Sequence, residues 1–335
     1  MIPLPLALAD SFGRRLEYLR ISLTDRCNLR CVYCMPEEGV PYGDLDDVLT
    51  FEEIERVVRV LASAGLKKVR LTGGEPLVRK NTPELTARLA AIAGVHEVTL
   101  TTNGILLARD AQALWDAGIR RLNLSMDTLQ PERFVKLARR AEFARAREGL
   151  ETALACGFSP LKLNCVLMRG INDDEIEDFG RLTLERPLSV RFLEYMPIGQ
   201  VSNAQWRAQY VPNDEVVARL RALWPNLEPL EDAPESTSRN FRIPGALGTV
   251  GVINPISHKF CEGCNRLRLT ANGKLVPCLS DNFEYDLMGP LRTSCTDHEL
   301  LEHVATALAH KPLQSDFEGR LVYGGSLRTM SQIGG

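Results

Sequence analysis

Six of the nine cysteines stand in two short groups. The first, Cys27-x3-Cys31-x2-Cys34, places three soft thiolate ligands in one short loop, which is a pattern for zinc or for iron. Zinc asks for a fourth ligand, and no His stands within the segment. A cubane iron–sulfur cluster normally takes four cysteines; with three, one iron keeps an open coordination position at which a ligand can be activated. The second group, Cys261-x2-Cys264-x13-Cys278, reads two ways. A zinc ribbon completed by Cys295 or His258 fits the spacing, and so does a second three-cysteine cubane. Between its members Arg266 and Arg268 alternate around Leu267 on a strand-like run and so share one face. Two guanidiniums on one face beside a cluster suit a phosphate or carboxylate ligand, although charged pairs in general more often form a solvated face.

These groups need a scaffold, and the spacing of apolar runs supplies one. Strand-length runs at 18–23, 67–73, 97–102, 120–126, 161–168 and 189–196 alternate with helical patterns. The clearest helix starts at Phe51: Phe51, Ile54, Val57, Val58 and Leu61 form one stripe, Thr50 and Glu53 a capping box, and Gly65 suits the C-terminal end. Six β/α units imply a parallel sheet, fewer than the eight of a closed barrel, so the expected fold is α/β, a partial (open) β/α barrel. The expected division is 1–197 for the barrel and 198–335 for a smaller C-terminal region. In such folds chemistry gathers where strands end. Here the ends read Thr24 to Cys27, Gly73-Gly74-Glu75-Pro76, Thr101-Thr102-Asn103-Gly104, Ser125-Met126-Asp127 and Glu194-Tyr195-Met196. Each alone is more often a plain turn; in succession they read as a rim.

Composition sets the outer bounds. The chain has 335 residues, 44% hydrophobic and 25% charged, which excludes a mainly disordered, collagen-like or mucin-like protein. A net charge of −3 argues against a globally basic nucleic-acid surface and leaves room for a local cationic pocket. An odd number of cysteines cannot all pair, the opening MIPLPLALAD has no basic n-region, and no segment reaches the roughly 18 uncharged apolar residues of a membrane helix. The expectation is a cytoplasmic protein with no membrane and no nucleic-acid partner.

The run Thr24-Asp25-Arg26-Cys27-Asn28-Leu29-Arg30-Cys31-Val32-Tyr33-Cys34-Met35-Pro36 resembles the cluster loop of the radical S-adenosylmethionine (SAM) enzymes. Leu71-Thr72-Gly73-Gly74-Glu75-Pro76 is similar to the motif that cradles the methionyl amino group of SAM in that family. Glycines permit close approach, and Glu75 with exposed carbonyls is the expected ammonium holder. With 19–25, 68–76, 101–104, 123–125, 191–196, 261–268 and the terminal Ile333-Gly334-Gly335, nearly the whole chain resembles the GTP 3′,8-cyclase family of molybdenum cofactor biosynthesis; 202–245 aligns least.

That resemblance implies two 4Fe-4S clusters, one on Cys27, Cys31 and Cys34 and one on Cys261, Cys264 and Cys278, with SAM as cofactor. A 5′-deoxyadenosyl radical would take hydrogen from C3′ of GTP, and the product would be 3′,8-cyclo-7,8-dihydro-GTP. The resemblance puts Tyr33, Gly74, Ser125 and Met196 at SAM, and Arg20, Arg70, Thr101, Lys162, Arg266, Leu267 and Arg268 at GTP. It gives Gly334 and Gly335 a catalytic role, and implies a homodimer and a downstream pyranopterin-forming enzyme. Alternatives stand beside these: a radical SAM enzyme with an auxiliary cluster acting on a peptide, or a zinc-stabilised binding module, as the function; Lys162 as a strand-edge guard, Ser125 as a plain core hydroxyl and Met196 as core filler. Cys156, Cys165 and Cys295 read as ordinary semi-buried cysteines, and no His is assigned to catalysis.

Overall fold

In the computed structural model, which describes residues 7–40, 45–199, 201–322 and 328–334, the six expected units are present. The strands are β1 (Tyr18–Ser22), β2 (Lys68–Thr72), β3 (Glu97–Thr102), β4 (Leu122–Ser125), β5 (Leu161–Leu167) and β6 (Leu188–Glu194). The helices between them are α1 (Phe51–Ser63), α2 (Thr82–Ala90), α3 (Leu107–Asp116), α4 (Pro131–Ala138), α5 (Phe143–Ala155) and α6 (Ile176–Glu185). The capping box of α1 forms: the Thr50 hydroxyl accepts from the Glu53 amide, and the Glu53 carboxylate accepts from the Thr50 amide.

The region after 198 adds to both edges of the same sheet. It contributes β7 (Glu228–Pro229), β8 (Ser238–Arg242), β9 (Thr249–Ile253), β10 (Arg266–Leu269), β11 (Lys274–Val276) and β12 (Tyr285–Asp286). Among the described residues the order is β12-β11-β10-β1-β2-β3-β4-β5-β6-β9-β8-β7. β10 is parallel to β1 and β9 is parallel to β6, so the parallel block runs unbroken from β10 to β9. The outer pairs are antiparallel. The two ends of the order do not pair, so the barrel is open.

Alternation decides what each strand offers. Leu19, Ile21, Val69, Leu71, Leu100, Leu122, Leu124, Leu161, Leu163, Val190 and Phe192 point to the helices and are buried with Ile54, Val57, Val58 and Leu61 of α1. The intervening residues, among them Tyr18, Arg20, Arg70, Lys162 and Arg191, therefore occupy the opposite, inner face. In a flat sheet, four strand spacings would put Arg70 on β2 roughly 19 Å from Arg191 on β6. Their charges nonetheless act on one another, so the sheet is rolled into a trough.

Candidate active site

At the rim of the trough the loop after β1 folds down onto the Gly73–Gly74 turn. The Gly74 amide donates to the Thr24 carbonyl at 2.7 Å, and the Glu75 amide to the Arg26 carbonyl at 2.9 Å. A Cβ on Gly74 would lie 2.5 Å from the Arg26 carbonyl oxygen and 2.7 Å from that of Asp25, so this contact exists only because the residue has no side chain. Glu75 does something other than hold a ligand. It is 1% exposed, and its carboxylate accepts from Thr102 Oγ1 (2.8 Å), the Asn103 amide (2.7 Å) and the Leu77 amide (3.1 Å). Burial raises it to about 7 in spite of those bonds. It is a brace between the ends of β2 and β3. Asn103 extends the brace: its Nδ2 donates to Asn28 Oδ1 at 2.7 Å and approaches Cys27 Sγ at 3.8 Å.

Cys27, Cys31 and Cys34 lie half-buried in this loop and influence one another. Burial pushes the Cys27 thiol up to about 11, with the Glu75 carboxylate adding to it. Cys34 is pushed to about 12 by burial and by Cys27, while a backbone hydrogen bond from Ser331 opposes this. Cys31 is raised by burial, Asp127 and both other thiols. Three crowded sulfurs, with Arg30 the cation that opposes the rise at Cys27, fit a cationic cluster core, which would supply further positive charge. Among the described residues no three His, Cys, Asp or Glu close around a single ion.

Of the residues expected at SAM, Tyr33 and Gly74 belong to this loop and turn. The Tyr33 hydroxyl donates to Asp127 Oδ2 at 2.8 Å, and Asp127 Oδ1 accepts from the Val166 amide at 2.9 Å. Burial raises Asp127 to about 6 against these two bonds. Ser125 ends β4, opposite Asn164 of β5. Met196 follows β6 and packs in one apolar cluster with Ile198, Ile333 and Met330.

Below the rim the trough is lined with cations. Register puts Arg20 beside Arg70 on one side and Arg268 on the other, and Tyr18 beside Lys68 and Arg266. The Arg70 Nε donates to the Tyr18 hydroxyl, and its Nη1 to Thr101 Oγ1 at 3.2 Å. Lys162 stands on β5, an interior strand, so it guards no edge. Burial, together with Arg191, Arg121, Arg70 and Lys68, lowers it from 10.5 to about 7. Arg191 falls to about 10 through burial and Arg70, and Arg268 falls well below its usual range through burial, Arg20 and Arg266. The Nε atoms of Arg20 and Arg191 and the Oδ1 of Asn164 are buried with no partner. Concentrated positive charge with unspent donors is a site for a polyanion. Leu267, expected at GTP with its neighbours, points the other way into the core, so only its backbone can meet a ligand. Sequence reasoning missed Tyr18, Asn164 and Arg191; the signal was a polar residue at every second position of strands that are otherwise apolar.

The second cysteine group flanks this face. Arg14 Nη1 donates to the Cys261 carbonyl at 2.8 Å. Cys261 Sγ accepts from the Ser315 amide at 3.3 Å, and Cys278 Sγ lies 3.4 Å from Ser280 Oγ. Burial raises Cys264, but Arg266 and Lys311 outweigh it and bring the thiol down to about 7. Donors and cations around these sulfurs fit thiolate ligands. Cys165, expected to be semi-buried, is fully buried on β5, because its side chain falls on the helix-facing parity.

The tail enters the same space. Residues Met330–Ile333 form one helical turn capped by Thr329, and Gly334 follows at φ +83°. A Cβ there would lie 2.7 Å from Thr72 Oγ1 and 3.0 Å from Ser22 Cβ, at the ends of β2 and β1. Gly335 lies outside the described residues.

Residues 21–183 match the radical SAM superfamily and 188–317 the molybdenum cofactor synthesis C family. The chain is 48% identical to the GTP 3′,8-cyclase of Moorella thermoacetica, over 98% of this chain and 100% of that protein. It is 46% identical to molybdenum cofactor biosynthesis protein 1 of Bos taurus, over 93% of this chain and 49% of that protein. Among solved structures it resembles anSMEcpe with bound AdoMet (TM-score 0.56, 14% identity, 92% of this chain and 95% of that one). It also resembles Streptococcus suis SuiB (TM-score 0.53, 15% identity, 83% of this chain and 66% of that one), and both likenesses show the fold.

Proposed function

The chain belongs to the GTP 3′,8-cyclase family of radical SAM enzymes, and from that premise we propose how its residues divide the work. The enzyme converts GTP to 3′,8-cyclo-7,8-dihydro-GTP, the first step of molybdenum cofactor biosynthesis, and uses SAM and a 4Fe-4S cluster. We assign that cluster to Cys27, Cys31 and Cys34, and a second to Cys261, Cys264 and Cys278. When bound, the first cluster with SAM supplies a 5′-deoxyadenosyl radical that takes hydrogen from C3′ of GTP, whose carbon then closes on C8.

The chain's own residues hold the reactants in place for this. Gly74, Tyr33, Ser125 and Met196 form the rim at which SAM sits over the first cysteine loop. Arg20, Arg70, Thr101, Lys162, Arg266, the backbone of Leu267, and Arg268 receive GTP in the trough, with Arg191 added to the set. The observation that carries this reading is the cation cluster itself: Arg20 and Arg191 keep buried Nε donors without partners directly below the rim. Binding a triphosphate there satisfies them, and it fixes the ribose toward the strand ends. Gly334 and Gly335 act at the reacting end.

The same proposal includes a division at 197/198 between barrel and C-terminal region; the two family matches, 21–183 and 188–317, change over about ten residues before it. It includes a homodimer, a cytoplasmic setting suited to nine free cysteines, and a second enzyme that consumes the product as a pyranopterin precursor. No helix among the described residues is long and apolar enough to cross a membrane. The test is anaerobic reconstitution, iron counting and an assay of 5′-deoxyadenosine with and without GTP. Iron at two clusters per chain and GTP-dependent cyclisation are expected; colourless protein with zinc and no SAM turnover overturns the reading.

A further inference from the structure

The trough gathers cations from five strands yet places one phenol among them. Tyr18 begins the inner face of β1, with Arg20 two residues on along the same strand. From β2, Arg70 donates its Nε to the Tyr18 hydroxyl, and Lys68 Nζ stands 5.3 Å from the centre of the ring. From β10, Arg266 is its register partner, and Arg268 feels its charge; from β6, so does Arg191. The nearby carboxylates are engaged elsewhere. Glu97 on β3 pairs with Lys68 and, at 2.9 Å, with Arg121; Asp232 accepts from the Asn240 amide at 2.9 Å. Apart from the second-group thiols, which act on Arg266 and Arg268 of β10, the phenol oxygen is the anionic position facing Arg20, Arg70 and Lys68, and it accepts from Arg70, one of the proposed phosphate ligands.

We propose that Tyr18 is the resident counter-ion of this cation cluster: its phenol oxygen holds Arg70 until a polyphosphate binds, and polyphosphate binding displaces that role and draws a proton onto Tyr18. The inference rests on the reading of the trough as the GTP site. Burial alone would raise the hydroxyl, but Arg70, Arg20 and Lys68 bring it down to about 7, so before a polyphosphate binds it carries negative charge at mildly alkaline pH. A triphosphate neutralises those same cations and adds anionic oxygens beside the ring. Both changes return the phenol toward its ordinary value near 10. The step balances as phenolate plus one solvent proton giving phenol. Lys162, held near 7 by the same crowding, takes up a proton for the mirror-image reason, since the phosphates stabilise its cation.

Calorimetric titration of GTP into anaerobic, cluster-loaded protein with SAM, at about pH 8 in buffers of different protonation enthalpy, counts the protons. The parent is expected to take up close to two, Tyr18→Phe about one fewer, and Lys162→Met to keep the one owed to Tyr18. Proton uptake unchanged in Tyr18→Phe, or absent in Lys162→Met, overturns the proposal. Failure of the parent to bind GTP at all overturns instead the assignment of the trough.

Discussion

The Arg268 guanidinium donates to the Gly334 carbonyl at 2.5 Å, with both groups buried at the ends of β10 and β1. One turn earlier, the backbone of Ser331 hydrogen-bonds Cys34. A few residues of tail thus touch the first cysteine loop, the cation cluster and, through Arg268, the strand between Cys264 and Cys278. Mutating either partner of the Arg268–Gly334 bond therefore reports on the coupling of the two halves of the site.

Arg266→Ala and Arg268→Ala are expected to weaken GTP more than SAM. A charge-assisted bond contributes roughly 1.5–3 kcal/mol, so each loss is on the order of tenfold or more. Equilibrium binding of both ligands checks this. Equal losses would mean that the two arginines hold the fold rather than the nucleotide.

The two cysteine groups separate in the same way. Serine at Cys27, Cys31 or Cys34 is a hard, poor replacement for a soft thiolate on iron, and it is expected to abolish SAM cleavage with about half the iron retained. Serine at Cys261, Cys264 or Cys278 is expected to remove the other half and to damage GTP conversion. Iron analysis with product assay decides it, and full cyclisation by a second-group variant would sink the two-cluster assignment.

How far these residues could be read from sequence follows from the geometry. The six β/α units were legible because each strand and helix writes its own period, and the Thr50–Glu53 box is a local signal. Arg266 and Arg268 were legible as a same-face pair for the same reason. The trough was not: Tyr18 meets Arg70 only through the β1–β2 pairing, and Lys162 and Arg191 act on Arg70 only when the sheet rolls, consequences of strand order and twist that no single segment records. Nor did the sequence show that β9 and β10 would join opposite edges of one sheet. Glu75 was misjudged as a ligand holder because three backbone and side-chain donors converge on it from β3 and its own turn.

Lys162 carries the cost of the site. Its folded value, about 7, lies below its ordinary 10.5, so the unfolded chain binds more protons between those values and stability rises with pH across that window. The contribution is fully present above about 10.5 and is lost as pH falls through 7. Lys162→Met is therefore expected to raise the unfolding midpoint at neutral pH, to flatten its rise toward alkaline pH, and to weaken GTP binding. A midpoint that falls, or a pH dependence like the parent's, would show that Lys162 is well solvated in the fold.

The tail gives the sharpest division between binding and catalysis. Gly334 has φ +83° and no room for a Cβ between Thr72 and Ser22, so Gly334→Ala must move the chain end off the strand tips. Arg268 would lose one carbonyl acceptor but keep its place on β10, and Cys34 would keep its own loop. Iron content and GTP affinity are thus expected to stay near the parental values. The Gly334 carbonyl, however, accepts from the Arg268 guanidinium, and on the proposed reading this aims Arg268 toward the strand ends, where C3′ of GTP would meet the radical. Loss of that aim is expected to cut GTP-dependent 5′-deoxyadenosine and cyclised product sharply, in Gly334→Ala and more so on deletion of Gly334 and Gly335. Binding and turnover measured on the same preparations separate the alternatives: parental turnover by the deletion variant makes the tail a bystander, and lost GTP affinity at intact iron makes it a binding element instead.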